Sequence, residues 1–282
     1  MNLLVVSMAS IAVFYAYQYL VDETESDEKY KPGVTFADIA GMEDVKQEMR
    51  ELIDFFNVDN TKFAEMGARL KRGVLLHGPP GTGKTLIAKA VAGECDANFI
   101  YCSASDLMQM YVGSGSSKVK EIFGKANQLK PCIIFIDEID ALGSRTTDKN
   151  TVNEAASVEK NTTINQLLAE LDGFKDRNRL FVIAATNNVN AVDPSLVRPG
   201  RFDKRIITRL PNSEERRSIL SLKLKKVQNE ISQMMINQIA DLKDFNGADL
   251  DTIVNEAALA SLNKGQVSVD DQTLLEAARS LL

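Results

Sequence analysis

A glycine-rich segment, residues 78–85, has the residue types and spacing needed to bind phosphate groups. It reads G-P-P-G-T-G-K-T and lies between the apolar residues 74–76 and a helix-like run over residues 86–92. Between a strand and a helix, such a loop turns its backbone N–H groups onto phosphate oxygens. Lys84 can then reach the β- and γ-phosphates of a nucleotide, and the Thr85 hydroxyl can bind Mg²⁺. A chance glycine-rich turn is the alternative, and the strand–loop–helix context argues against it.

Two acidic residues follow the apolar run of residues 131–136. A buried parallel strand places carboxylates at its C-terminal end on the ligand-binding edge of the sheet. There, Asp137 would hold Mg²⁺ through water, and Glu138 would polarise the water that attacks the terminal phosphate. The alternative is an acid pair that only caps the strand end, and the phosphate-binding loop upstream disfavours it.

Polar residues further along the chain can complete such a site. Asn187 ends the next apolar run. It can orient the water or contact the γ-phosphate, although a polar residue at a strand end is often only a turn residue. Arg198 and Arg201 follow in a loop. An arginine suits the charge of a phosphate in its transition state, but it also suits a structural ion pair. Spacing alone does not choose between these two roles.

The elements that must position these residues alternate along the chain. Strands are predicted at residues 74–77, 98–103, 132–137, 180–185 and 205–210, with helices around 86–92, 117–126 and 162–171. This alternation favours an α/β fold with a parallel sheet covered by helices on both faces. Four further helices are predicted at residues 213–225, 231–242, 248–262 and 269–282, with Ser213 and Asp270 as N-caps. We therefore expect an α/β subdomain over residues 34–211 and an all-helical subdomain over residues 212–282.

The N-terminal region predicts a transmembrane helix at residues 1–21. Residues 2–21 carry no charge, and twenty helical residues span about 30 Å, the thickness of one bilayer core. A cleaved signal peptide is the alternative, but a basic n-region and a small-residue cleavage site are missing. The acidic and polar residues 22–33 are typical of a linker.

Composition restricts the partners and the compartment. The 282 residues carry a formal net charge of −6 with Lys and Arg scattered, which argues against a nucleic-acid surface. Cys95, Cys102 and Cys132 lie in apolar surroundings, which favours small core residues over disulfide bonds. His77 is the single histidine, and a zinc peptidase site needs several nitrogen or oxygen ligands. We therefore expect no zinc.

Together these motifs resemble the AAA ATPase module, and most closely that of the FtsH-like, membrane-anchored AAA proteases. The similarity rests, in this order, on residues 78–85, 136–140, 185–187 and 198–203. Residues 33–41 also resemble the segment that precedes the module in that family, and residues 254–259 resemble its lid. The resemblance covers about residues 33 to 282, and it implies an AAA+ P-loop NTPase fold followed by a small helical lid.

The resemblance also assigns roles to residues. The family forms hexameric rings with ATP and Mg²⁺ between subunits, and Arg198 and Arg201 match the arginines that act on the neighbouring subunit's γ-phosphate. Asn187 matches the residue that senses this phosphate, and residues 172–174 match the segment that carries the nucleotide state between subunits. The residues expected around the adenine are Ile39, Ala40, Gly247 and Ala248. Those expected around the phosphates are Gly78, Pro79, Pro80, Gly81, Thr82, Gly83, Lys84, Thr85 and Leu86. The pore loop that grips polypeptides matches Met110, Tyr111, Val112 and Gly113.

Two segments depart from the family's pattern. Residues 113–116 read G-S-G-S where the family has a Gly-Val-Gly-Ala-like run, and Asn188-Val189 replaces a usual Arg-Pro pair. Neither departure removes a catalytic group, but both leave the grip on substrate and the position of Asn187 open. Tyr111 also has an alternative role as a core residue.

The sequence therefore predicts a membrane-anchored ATPase that unfolds, extracts or translocates polypeptides, with its ATPase domain facing the cytosol or the interior of an organelle. An alternative is the ATPase part of an FtsH-like metalloprotease whose peptidase is missing here or lies on another chain. A second alternative is a non-enzymatic protein that uses bound ATP to hold an assembly, and Glu138, Arg198 and Arg201 argue against it.

Overall fold

A parallel five-stranded sheet forms the centre of the N-terminal half. The computed structural model describes residues 31–57, 73–108, 114–144, 154–173 and 179–282. Within these residues the strands are β1 (Gly73–His77), β2 (Asn98–Ser103), β3 (Cys132–Asp137), β4 (Leu180–Thr186) and β5 (Phe202–Ile207). Their order is β2-β3-β4-β1-β5, and all pairs are parallel. The predicted α/β fold with a parallel sheet is therefore confirmed.

Helices cover both faces of the sheet because its central strands are apolar on both sides. The first four helices are α1 (Glu43–Asn57), α2 (Lys84–Glu94), α3 (Ser114–Gln128) and α4 (Glu154–Asp172). One hydrophobic cluster packs α1 and α2 against the sheet, and a second packs α3 and α4 against the opposite face. Every residue of β4 is buried. Cys95, Cys102 and Cys132 are buried and free, as the sequence predicted, and burial raises the pKa of each thiol to about 12.

The remainder of the described chain is helical. It comprises α5 (Ser213–Leu224), α6 (Gln233–Leu242), α7 (Gly247–Asn263) and α8 (Asp271–Ser280). These helices share a hydrophobic core around Leu220, Phe245 and Ile253. We call this unit the lid. The subdomain boundaries at residues 34–211 and 212–282 stay a prediction.

Three details differ from the predicted elements. β5 begins and ends three residues earlier, because its pairing with β1 runs from Phe202 to Ile207 and β1 itself ends at His77. Helix α1 was not predicted. The N-cap of α5 is Asn212 rather than Ser213, because the Asn212 side chain accepts the Glu215 N–H at 2.9 Å and the Glu215 carboxylate accepts the Asn212 N–H at 2.9 Å. The predicted Asp270 cap of the last helix is confirmed.

The predicted membrane segment and most of the predicted linker, residues 1–30, lie outside the described residues. In the described ranges we find no helix with the length and apolar character to cross a bilayer.

The chain before α1 is fastened to the C-terminal end of α2. The Phe36 N–H donates to the Glu94 carboxylate at 2.8 Å. Gly93 lies directly beneath this segment, and a Cβ added there would be 2.1 Å from the Val34 carbonyl oxygen. We call residues 32–36 the strap.

A Gly93→Ala substitution is expected to lower the free energy of unfolding by about 1–3 kcal/mol, because the new methyl group must push backbone aside. Gly124→Ala is the matched control, since Gly124 lies within α3 and a Cβ there meets nothing within 4 Å. The control should gain up to about 1 kcal/mol from helix propensity. Urea denaturation of both variants measures the difference, and equal stability would show that the strap does not rest on Gly93.

Candidate functional site

The phosphate-binding loop connects β1 to α2, as the sequence predicted. Gly81 has φ 72°, a left-handed conformation that glycine adopts without strain. The Lys84 ammonium donates to the carbonyl oxygens of Gly78 and Pro79 at 2.9 and 2.8 Å and to Asn187 Oδ1 at 2.8 Å. Burial lowers the pKa of Lys84, and the charges of nearby carboxylates oppose this shift. The lysine and the polar end of β4 therefore meet at the loop.

The predicted magnesium ligands also lie together. Thr85 Oγ1 donates to Asp137 Oδ2 at 2.9 Å, and Asp137 Oδ1 accepts the N–H of Glu138 at 3.0 Å. A hydroxyl and a carboxylate oxygen side by side form the hard oxygen donor set that Mg²⁺ prefers, so these residues fit the ion. Glu138 is exposed and has φ 53°, a left-handed conformation that is unusual for glutamate and is found more often at functional sites.

A cleft of 430 Å³ extends from this loop towards the lid. Its size is that of a small-molecule site. The predicted residues that line it are Ile39, Ala40, Pro80, Gly81, Thr82, Gly83, Lys84, Thr85, Leu86, Asp137, Glu138, Asn187, Gly247 and Ala248. Gly78 and Pro79 lie behind the lining and contact it through the Lys84 ammonium. The structure thus brings the residues predicted for phosphate, Mg²⁺ and adenine to one cleft, while the roles given to them stay predictions.

Part of the cleft wall was not predicted from the sequence. The lining residues that the sequence analysis did not assign to the site are Asp38, Gly41, Met42, Arg209, Pro211, Glu215, Ile219, Leu222, Lys223 and Asp251. Among these residues, Glu215 forms hydrogen bonds with Met42 and Arg209. Burial raises the pKa of Glu215, but hydrogen bonds from Arg209, Asn212 and Met42 outweigh it and hold the pKa below its ordinary value. The spacing Asn212-x-x-Glu215 is a capping-box signal, and it could have located this residue on the first turn of α5.

The two loop arginines do not line the cleft of their own chain. The Arg201 guanidinium forms two hydrogen bonds with the Asp172 carboxylate, at 2.9 and 2.8 Å, and a third with the Ser195 carbonyl at 2.7 Å. Arg198 is exposed. Within the chain, Arg201 is thus held in the structural ion pair that its spacing left open, and Asp172 comes from the segment predicted to link subunits.

The predicted pore loop, Met110, Tyr111, Val112 and Gly113, lies outside the described residues, as does Phe174. Among the described residues, no group of three or more His, Cys, Asp or Glu side chains is placed to hold a metal ion. The expectation of no zinc stays a prediction.

Known proteins share this module. Residues 74–210 match the family model described as "ATPase family associated with various cellular activities (AAA)". The "ATP-dependent zinc metalloprotease FtsH 2" of Sphaerobacter thermophilus is 42% identical over 255 residues, which cover 89% of this chain and 38% of that protein. The "ATP-dependent zinc metalloprotease FtsH" of Cyanidium caldarium is 43% identical over 241 residues, which cover 85% of this chain and 38% of that protein. The protein of the same name from Staphylococcus haemolyticus is 44% identical over 249 residues, which cover 88% of this chain and 33% of that protein.

This chain therefore spans well under half the length of each of these relatives. The similarity nevertheless extends over most of the chain, and it includes the loop, the strand-end acids and the lid that form the cleft. The chain belongs to the AAA ATPase family, and its module is related to that of the FtsH proteins.

Proposed function

We propose that the chain hydrolyses ATP in the cleft. The contact network of Lys84, Thr85, Asp137 and Asn187 carries this proposal, because it joins a cation, a hydroxyl, a carboxylate and an amide at the phosphate-binding loop. Lys84 would exchange its carbonyl partners for the β- and γ-phosphates. Glu138 would orient the attacking water and accept its proton, and Asn187 would contact the γ-phosphate. Thr85 and Asp137 would hold Mg²⁺, which neutralises the charge on the phosphate oxygens when it is bound.

We further propose that ATP hydrolysis drives the pulling of polypeptides through a hexameric ring. Support comes from the exposed Arg198, which is free to reach a neighbouring subunit, and from the resemblance of residues 110–113 to a pore loop. A flat aromatic ring such as Tyr111 grips side chains of any sequence by stacking and dispersion. The uncharged residues 2–21 would anchor the ring in a membrane, with the ATPase on the cytosolic or organelle-interior side where ATP is present.

A second candidate is the ATPase part of a metalloprotease. The names of the similar proteins favour it, since each is called a zinc metalloprotease and each is much longer than this chain. In that case, the peptidase would lie on another part of a longer chain or on a separate subunit.

Glu138→Gln is expected to slow phosphate release by about 10²–10⁴-fold while nucleotide binding is retained, because the amide can hold the water but cannot accept its proton. Glu121→Gln, an exposed carboxylate on α3, is the control and should leave turnover unchanged. Steady-state phosphate release and retention of labelled ATP are the measurements. Normal turnover in Glu138→Gln would exclude the proposed base. Near-zero turnover in the assembled wild type would favour the non-enzymatic role.

Arg198→Ala and Arg201→Ala are both expected to abolish hydrolysis in the ring, if both arginines act on a neighbour's ATP. Only Arg201→Ala should also lower the free energy of unfolding, by about 1 kcal/mol, since Asp172 is half-exposed and the pair is partly screened.

Mixing inactive subunits tests the action in trans. Arg198→Ala subunits supply an intact Glu138, and Glu138→Gln subunits supply an intact Arg198. A mixed ring should therefore regain part of its ATPase activity, since some interfaces combine both groups. A mixture that stays inactive although mixed rings form would contradict action in trans.

Tyr111→Ala is expected to keep ATPase activity and to lose substrate unfolding. The assay mixes detergent-purified protein with ATP and a tagged fluorescent substrate, followed by gel electrophoresis. Loss of fluorescence with an intact substrate chain is the result expected of a motor, whereas fragments would favour the metalloprotease. Loss of both activities in Tyr111→Ala would indicate a packing residue.

A further inference from the structure

One wall of the cleft is a short loop with an unusual backbone. All of residues 39–42, which we call the wall loop, line the cleft. Gly41 and Met42 have φ of 75° and 56°, and a left-handed conformation is costly for methionine. The Met42 side chain lies over the phosphate-binding loop, where its terminal methyl is 3.3 Å from the position of a Cβ on Gly83. Such a loop needs contacts from outside the cleft to keep its shape.

Lys46 holds the first end of the wall loop. Its ammonium donates to the Ile39 carbonyl oxygen at 2.6 Å and to the Glu43 carboxylate at 2.7 Å. The Lys46 side chain is 5% exposed, whereas the Glu43 side chain is 71% exposed. A buried ammonium is stable only where its hydrogen bonds are satisfied. The Ile39 carbonyl is therefore fixed to α1 by a charged group behind the wall.

Glu215 holds the second end. Its carboxylate accepts the Met42 N–H at 3.2 Å, and it also accepts two hydrogen bonds from the Arg209 guanidinium at 2.7 and 3.1 Å. Glu215 lies on the first turn of α5, which is the first helix of the lid, and Arg209 follows β5. One carboxylate thus ties the wall loop to both the sheet and the lid.

We propose that Lys46 and Glu215 are positioning residues that clamp the two ends of the wall loop, so that its backbone can discriminate the base of the nucleotide. The proposal rests on the proposed ATPase function, in which the base lies beside Ile39 and Ala40. Backbone N–H and C=O groups distinguish a 6-amino from a 6-oxo purine only where they are rigidly placed, because the two bases exchange donor and acceptor positions. Glu215 also makes the wall depend on the position of the lid.

Each positioning residue has a matched control variant that loses the same additional interaction but keeps the contact with the wall loop. Glu215→Ala removes the clamp and the reciprocal cap of α5, whereas Asn212→Ala removes the cap and leaves Met42 with its carboxylate partner. Lys46→Met removes the ammonium and keeps the buried stem, whereas Glu43→Gln removes the ion pair with the exposed Glu43 carboxylate and leaves the Ile39 contact. Thermal denaturation of all four variants separates a loss of folding from a loss of clamping.

The measurement is binding of a fluorescent ADP analogue to the full chain with Mg²⁺, in competition with ATP and with GTP. Loss of a hydrogen bond to a charged group should weaken ATP binding about tenfold in Glu215→Ala and in Lys46→Met, and the preference for ATP over GTP should fall in both. Asn212→Ala and Glu43→Gln should keep the affinity and the preference of the wild type.

Affinity and base preference equal to those of the matched controls would overturn the proposal. If Lys46→Met does not fold, the pair at Glu215 and Asn212 decides alone. Failure of the proposed function looks different: the wild type and Lys84→Ala would then bind the analogue equally poorly, and no base preference would exist to lose.

Discussion

Two glycines of the phosphate-binding loop, Gly78 and Gly81, have no room for a side chain, and the rest of the site depends on this constraint. A Cβ on Gly78 would lie 2.0 Å from the Thr208 carbonyl oxygen, and one on Gly81 would lie 2.5 Å from the Asn246 side chain. The Gly81 carbonyl accepts the Gly247 N–H at 3.0 Å, at the first residue of α7. The residue that follows β5 and the N-terminus of a lid helix thus lie directly against the loop. A shift of the loop backbone would therefore also displace the first turn of α7 in the lid.

Those parts of the fold and the site that depend on local pattern were readable in the sequence. Apolar runs located the strands, and the shared edge of parallel strands explains why Asp137 was expected near Thr85. The clamp could not be predicted from the sequence, because Lys46 and Glu215 hold the wall loop through its backbone groups, which any residue type supplies. Met42 and Glu215 are 173 positions apart, so no spacing rule connects them. The limits of β5 were missed for a similar reason, since they follow from the length of β1 rather than from the strand's own residues.

The position of Asn187, which the sequence left open, is defined by its contacts in the structure. Asn188 replaces the family's arginine after Asn187, yet Asn187 still contacts Lys84 at 2.8 Å. The Asn188 N–H donates to Thr186 Oγ1 at 2.9 Å, and the Asn188 side chain accepts a backbone N–H two residues on. The turn is therefore built by local hydrogen bonds that do not need the family's usual Arg-Pro pair.

The contacts also distinguish the two loop arginines. The ion pair of Arg201 leaves Arg198 as the more accessible of the two, so one loop combines a fixed and an exposed guanidinium.

Helix α2 connects the phosphate-binding loop to the strap. Its N-terminal residue is Lys84, and its C-terminal residue, Glu94, accepts the Phe36 N–H. The two residues are ten positions apart, or about 15 Å along the helix. A buried helix packed on the sheet is a stiff element, and a displacement at one end is transmitted to the other. Under the proposed function, the chain N-terminal to the strap leads to the membrane anchor. Tension between anchor and ring would then enter the module at Gly93 and Glu94, at the far end of the helix that carries the phosphate-binding lysine.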